Sequence, residues 1–90
     1  MRFAIMTKDK DGALQIRLDT RDAHLAYIRD TGVVEMAGPF ISAEGAMHGS
    51  LIVLDVADRA AAEAWAENDP YNKAGLFSKV RIEEWKKVIG

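Results

Sequence analysis

The stretch LIVLDVADRAAAEAWAENDPY, from Leu51 to Tyr71, contains the clearest secondary-structure signals of the chain. Residues 51–56 are apolar almost without interruption, which is typical of a central strand covered on both faces. Asp58 then offers a side chain to cap a helix, and the alanine-rich run from Arg59 to about Glu67 has high helix propensity. Pro70 ends that helix, because the residue before a proline is disfavoured in the α region. The stretch therefore predicts a strand followed directly by a helix.

A similar unit precedes this stretch. Arg2 to Thr7 alternates between two sides and predicts a first strand, while Lys8 to Gly12 predicts a charged turn. A helix is expected to begin at an N-cap provided by Asp19 or Thr20 and to end at Gly32. The first third of the chain is therefore predicted to be another strand and helix.

The remaining segments complete the order of elements. Val33 to Ala37 predicts the second strand, which Gly38 and Pro39 are expected to end. Residues 42–49 are small and contain glycine, which indicates an exposed loop or a short hairpin. Val80 to Trp85 alternates only in part, so both a last strand and a short helical tail are compatible with it.

The order strand, helix, strand, strand, helix, strand over residues 1–90 predicts one α+β domain. Its topology is ferredoxin-like βαββαβ, an antiparallel sheet with two helices on one face. Two helices cannot cover both faces of the sheet, and a second sheet from another copy is the simplest cover for the open one. A chain of this size that is rich in alanine also gains stability by pairing. Both arguments predict a homodimer.

The composition excludes several classes of function. The net charge is −2 with both signs interspersed, so neither nucleic acid nor a membrane is an expected partner. There is no cysteine, and His24 and His48 lie far apart in no metal-ligand spacing, so no metal site is expected. We also expect no organic cofactor. The first residues turn charged too soon for a signal peptide, and we expect a cytoplasmic protein.

His24 is the first candidate for chemistry. It lies on the same helical stripe as Arg21, Leu25 and Ile28, which directs it towards the sheet. An imidazole can accept or give a proton near neutral pH without large tuning. The spacing is equally compatible with a half-buried structural histidine whose nitrogens are hydrogen-bonded within the core.

Asp69 is the second candidate, because an anion at the C-terminus of a helix is disfavoured by the helix dipole. A histidine is a natural compensating partner, since a carboxylate on one ring nitrogen makes the other a better base. The alternative is that Asp69 only caps the turn that continues through Pro70 and Tyr71.

Four further residues are candidates for ligand contact. Gly38 allows close approach of a ligand, and Pro39 stiffens the chain after it. Ser42 offers a hydroxyl, although no base lies near it in the sequence. Tyr71 is a possible polar contact, but tyrosines of this kind more often pack with a wet hydroxyl.

Several motifs occur in one order along the chain. Arg21-x-x-His24-Leu25 is followed by Ala37-Gly38-Pro39 and then by Asn68-Asp69-Pro70-Tyr71. In this combination the chain resembles, over essentially its whole length, the YCII-related (YciI-like) family of small dimeric α/β-barrel proteins. The resemblance implies a ferredoxin-like protomer whose sheet packs on that of a second copy. It also implies that His24 and Asp69 form the active-site pair.

The resulting hypothesis is a small homodimeric enzyme of isomerase or lyase type, acting on a small carbonyl- or lactone-type metabolite. His24 would move a proton α to a carbonyl, and Asp69 would orient the imidazole. Gly38 and Pro39 would shape the pocket wall. The alternative is a non-catalytic protein that binds a small molecule, or serves an accessory role, with the same cleft.

Overall fold

A computed structural model describes all residues from Met1 to Gly90. The elements in chain order are β1 (Arg2–Asp9), α1 (Leu14–Thr31), β2 (Val34–Ile41), β3 (Met47–Asp55), α2 (Arg59–Asn68), α3 (Pro70–Lys73) and β4 (Phe77–Trp85). The strands form one antiparallel sheet in the order β2-β3-β1-β4, with the helices on one face. The predicted ferredoxin-like α+β fold is thereby confirmed. None of the helices is both long and apolar enough to cross a membrane.

An apolar core lies between α2 and the two central strands. On the helix-facing side of the sheet, Phe3 pairs with Leu54 and Ile5 pairs with Ile52. Trp65 reaches this layer from α2. Each of the four strand residues is at most 1% exposed, so burial of these side chains supplies much of the stability of the fold. The core consists of Phe3, Ile5, Ile52, Leu54, Ala62 and Trp65.

Helix α1 begins earlier than predicted. It starts at Leu14 after Ala13, which provides no side-chain cap, so the N-cap predicted at Asp19 or Thr20 is wrong. Asp19 lies inside the helix and accepts a hydrogen bond from Nε2 of Gln15 at 2.8 Å. Arg17, in the first turn, pairs with Asp9 of β1. The end is as predicted, because Gly32 adopts a left-handed conformation with φ of 66°.

The second and third strands are longer than predicted. Gly38 and Pro39 do not end β2, which continues to Ile41. A proline is tolerated there because β2 is at the edge of the sheet. Strand β3 begins at Met47, so the predicted loop over residues 42–49 is too long.

The last segment and the region around Pro70 are also defined. Residues 77–85 form a strand, β4, and not a helical tail. Asp58 caps α2 as predicted and accepts a hydrogen bond from the backbone N–H of Ala61 at 2.8 Å. Pro70 both ends α2 and opens the short helix α3, in the first-turn position that proline favours. This second helix start, which the sequence interpretation did not include, determines the surroundings of Asp69.

Candidate active site

Asp69 occupies the junction between α2 and α3 and is 1% exposed. Its Oδ1 accepts a hydrogen bond from the backbone N–H of Tyr71 at 3.0 Å. The same oxygen lies 2.8 Å from Nδ1 of His24 on α1. The carboxylate therefore has one donor from its own chain segment and one from a different helix.

This arrangement combines the two alternatives left open by the sequence. Asp69 caps the turn into α3, and it also contacts the imidazole of His24. The unfavourable dipole of α2 is offset by the N–H groups at the start of α3 and by the ring N–H. A local cap and a long-range hydrogen bond thus hold the carboxylate in one position.

His24 is 5% exposed and uses only one of its ring nitrogens within the protein. Asp69 accepts from Nδ1–H, which leaves the lone pair of the neutral imidazole on Nε2. No fully buried side-chain nitrogen or oxygen lacks a hydrogen-bond partner. Nε2 makes no such bond, so it retains accessible surface, and His24 is one of the residues that line a cleft between α1 and the sheet.

Tyr71 connects the imidazole to a second polar group. Its ring stacks on that of His24, with centroids 3.9 Å apart and planes at 17°. The guanidinium carbon of Arg17 lies 4.9 Å from the centroid of the same ring. Burial raises the pKa of the Tyr71 hydroxyl, although the positive charges of Arg17 and Arg21 act in the opposite direction. The hydroxyl is therefore a neutral donor throughout the physiological pH range.

A buried ion pair lies beside this stack. Nε and Nη2 of Arg17 donate to the two carboxylate oxygens of Asp9 at 2.7 and 2.9 Å, and Nη2 also donates to the hydroxyl of Ser50 at 3.0 Å. Burial lowers the pKa of Arg17, but the hydrogen bond and the charge of Asp9 outweigh that effect and raise it. Arg17 as a whole is 3% exposed, and this fork orients its guanidinium.

These groups line a cleft of about 180 Å³ between α1 and the sheet. Its wall on the sheet side comes from β2 and β3, and its opposite wall is the stripe of α1 that carries the charged residues. It is more apolar than polar, with polar groups concentrated at the end near Tyr71. The lining residues are Arg17, Leu18, Arg21, His24, Leu25, Ile28, Ala37, Gly38, Pro39, Met47, Ser50, Ile52 and Tyr71.

The cleft contains most of the residues singled out in the sequence. Gly38 and Pro39 form part of the β2 wall, beside His24 and Tyr71. Ser42 lies elsewhere, in the turn between β2 and β3, where its hydroxyl accepts a hydrogen bond from the backbone N–H of Ala46 at 3.1 Å.

Arg17 and Ser50 are the polar groups of the cleft that sequence reasoning missed. Arg17 lies seven residues before His24 and so on the same face of the helix, but a helix predicted to begin at Asp19 excludes it. Ser50 lies between the loop predicted for residues 42–49 and the strand predicted from Leu51, although it belongs to β3 and faces the helices beside Ile52. Correct element boundaries would have revealed both. No group of three or more potential ligands is placed to hold a metal ion.

Comparison with known proteins identifies the family of the chain. The YCII-related domain matches residues 1–86. Protein YciI of Escherichia coli is 34% identical, with 99% of this chain and 100% of that protein covered. An uncharacterized protein of Haemophilus influenzae is 30% identical over the same shares of the two chains.

Solved structures show the same relationship. The 5-chloro-2-hydroxyhydroquinone dehydrochlorinase of Burkholderia phenoliruptrix AC1100, solved in complex with 2,5-dihydroxybenzoquinone, is 36% identical with a TM-score of 0.88. The match covers 96% of this chain and 94% of that one. An antibiotic biosynthesis monooxygenase, 13% identical with a TM-score of 0.61 over 98% of each chain, shares the fold alone. From the domain match and the full-length relatives, the chain belongs to the YCII-related family.

Proposed function

We propose that the protein is an enzyme that moves a proton on a small carbonyl-, lactone- or quinol-type metabolite, in an isomerisation or an elimination. The observation that carries this proposal is the 2.8 Å contact between Nδ1 of His24 and Oδ1 of Asp69, which leaves Nε2 available at the cleft. A buried carboxylate fixes the tautomer and stabilises the imidazolium that forms when Nε2 takes a proton.

The reaction needs only acid–base steps. Nε2 of His24 accepts a proton from a carbon next to the carbonyl or from a ring hydroxyl, and the electron pair moves towards the carbonyl oxygen or into the ring. In an isomerisation the imidazolium returns the proton to a different carbon. In an elimination from a saturated carbon the leaving group departs with its electron pair, and the imidazolium gives its proton to solvent. In an elimination from a quinol ring the imidazolium first returns the proton to the ring carbon that carries the leaving group. That group then departs with its electron pair while a second ring hydroxyl gives its proton to solvent. Positioned proton transfer of this kind contributes about a hundred- to ten-thousand-fold to the rate.

The size of the cleft supports a substrate with a single ring. Its volume is about 180 Å³, and a cavity of about 150 Å³ is enough to hold benzene. The relative that is 36% identical is a dehydrochlorinase of a chlorinated hydroxyhydroquinone. A hydroxylated or oxidised six-membered ring therefore belongs to the substrate class we propose for this chain.

We also propose that the protein works as a homodimer, joined through the sheet face that carries no helices. Apolar side chains line a shallow groove on that face, formed by Met36, Phe40 and Leu51 with the backbone around Gly38. Met36 is 47% exposed, although it projects from a strand and not from a loop. A second sheet would cover this surface, since stacked sheets pack about 10 Å apart face to face. Analytical ultracentrifugation tests the pairing, and we expect Met36→Asp to shift the dimer towards a monomer.

The test of the proposed activity is chloride release from 5-chloro-2-hydroxyhydroquinone, combined with solvent deuterium incorporation into lactones of similar size. We expect His24→Gln to lower the rate by about a hundred- to ten-thousand-fold, because glutamine can donate to Asp69 but cannot serve as a base. His48→Gln is the matched control, since His48 is exposed on β3 and lies outside the cleft.

Two results would contradict the proposal. One is turnover that persists in His24→Gln at the rate of the wild type. The other is a wild-type protein that binds these rings without changing them, which would make it a small-molecule-binding protein with the same cleft. If His24→Gln lowered the melting temperature and left turnover unchanged, His24 would be a structural residue.

A further inference from the structure

The cleft carries positive charge at its surface and negative charge behind it. Arg17 and Arg21 both line it, and no acidic residue does. The carboxylates of Asp9 and Asp69 lie behind the lining residues, each already bonded to a partner. Arg21 is exposed and makes no ion pair with a carboxylate. A ligand in the cleft therefore meets cationic donors on the α1 side.

Arg17 and Tyr71, near the inner end of the cleft, keep hydrogen-bond donors that no carboxylate or carbonyl of the protein accepts. The hydrogen bonds of Arg17 use Nε and Nη2 and leave Nη1 free. Tyr71 is 3% exposed, and its hydroxyl has a hydrogen-bonding contact with Arg17. Because a guanidinium only donates, the Tyr71 oxygen is the acceptor in that contact, and its own O–H remains available to donate. Both residues line the cleft.

The orientation of Arg17 is set before any ligand arrives. Asp9 holds the guanidinium through a bidentate pair, and Ser50 accepts a third hydrogen bond from it. A buried pair of this kind adds little to stability compared with apolar side chains of the same volume. A donor fixed in advance, however, stabilises a charge on a ligand without the cost of reorganising solvent or side chain.

We propose that Arg17 Nη1 and the Tyr71 hydroxyl form a subsite for a negatively charged oxygen of the ligand, with Arg21 as an additional positive group at the mouth. The ligand class is a small planar anion, namely a carboxylate, a phenolate or an enolate. This inference rests on the proposed function, because the proton removed by His24 leaves its negative charge on such an oxygen. The subsite lies beside His24, since the Tyr71 ring stacks on the imidazole.

The experiment is calorimetric titration of the full chain with two quinones. The first is 2,5-dihydroxybenzoquinone, which is a vinylogous acid and ionised at neutral pH. The second is 2,5-dimethoxybenzoquinone, which has the same ring and no charge. We expect the ionised quinone to bind at least about tenfold more tightly, as charge-assisted hydrogen bonds do, and its affinity to fall as salt is added.

Variants then locate the subsite. Tyr71→Phe keeps the ring stack, and Arg21→Met changes a surface residue. We expect each variant to weaken binding of the ionised quinone about tenfold and to leave binding of the neutral quinone almost unchanged. Arg17→Lys keeps the positive charge beside Asp9 but removes the forked guanidinium. It should weaken binding of the ionised quinone further. Arg29→Met is the control, because Arg29 is exposed in the last turn of the same helix and does not line the cleft.

The subsite is overturned by any of three results: no binding of the ionised quinone to the wild type, equal affinity for both quinones, or unchanged affinity in Tyr71→Phe and Arg21→Met. These are separate from failure of the proposed function, which is judged by turnover in His24→Gln. If the protein bound the ionised quinone through Arg21 and Tyr71 but turned nothing over, the subsite would be supported and the proposed enzymatic activity would be rejected.

Discussion

The layer between the helices and the sheet has two halves of opposite character, although the same two strands run through both. The apolar half is the core of Phe3, Ile5, Ile52, Leu54, Ala62 and Trp65. The polar half consists of Asp9, Arg17, His24, Ser50, Asp69 and Tyr71, and each of these residues is at most 8% exposed.

The change occurs within a few residues along β1 and β3. On one face of β1, Phe3 and Ile5 are followed by Thr7 and Asp9, and Thr7 pairs with Ser50 across the sheet. The apolar half stabilises the fold by burying apolar surface away from water. The polar half buries charge, which adds little net stability even when every group is paired. Burying these charged groups costs desolvation free energy that an apolar layer would avoid. This difference between the two halves indicates that the polar half is the functional one.

The largest effect on stability should come from breaking the ion pair of the polar half. We expect Asp9→Leu to lower the free energy of unfolding by about 3–5 kcal/mol, because it leaves the Arg17 guanidinium buried without a counter-charge. Urea denaturation measures this. The double variant Asp9→Leu/Arg17→Met should recover most of the loss, and a single variant as stable as the wild type would show that water reaches the pair.

The apolar half should respond almost as strongly to a cavity. Leu54 is 0% exposed, and we expect Leu54→Ala to lower the free energy of unfolding by about 2–5 kcal/mol. Leu14→Ala is the matched control, since Leu14 is 47% exposed and should lose far less. Equal losses in the two variants would mean that the apolar half is not the stabilising one.

Asp69→Asn should have a smaller effect on stability and a large one on chemistry. The amide oxygen can still accept from the N–H of Tyr71, but the charge-assisted bond to His24 is lost, which costs about 1.5–3 kcal/mol. We expect turnover to fall because the neutral amide no longer stabilises an imidazolium. Urea denaturation and the turnover assay check the two parts, and full activity in this variant would remove Asp69 from the mechanism.

The smallest effect should appear only at high pH. Burial raises the pKa of Tyr71 and of Tyr27 above the usual value of 10.0. Both therefore contribute stability that is complete below about pH 10. That contribution is lost as the pH rises through the raised values, because the unfolded chain ionises first. Thermal unfolding between neutral and alkaline pH should show this decline, and Tyr71→Phe should show less of it. Identical profiles would exclude Tyr71 as a source.

Most of the fold could be predicted from the sequence, because hydrophobic patterning, the Asp58 cap and the Gly32 stop are local signals. The start of α1 could not, since Ala13 provides no capping side chain to mark it in the sequence. The extension of β2 through Pro39 depends on that strand being at the edge of the sheet.

The candidate site was predictable in part for the same reason. His24 and Asp69 each have a local peculiarity, an imidazole on an inward stripe and an anion at a helix end. The Arg17–Asp9 ion pair and Ser50 have no such local signal in the sequence, because their burial results from the packing of α1 on the sheet. Ser42, by contrast, offers a hydroxyl in the sequence, but it lies in the turn between β2 and β3 and outside the cleft.

The central claim is that Asp69 holds His24 with its proton on Nδ1 and its lone pair on Nε2, facing the cleft. Long-range ¹H–¹⁵N NMR of the neutral imidazole measures this tautomer directly, with His48 as the internal reference. We expect a protonated Nδ1, an unprotonated Nε2, and a shift of the Nε2 resonance when 2,5-dihydroxybenzoquinone is added. A proton on Nε2, or an Nε2 resonance that the quinone leaves unchanged, would contradict the claim.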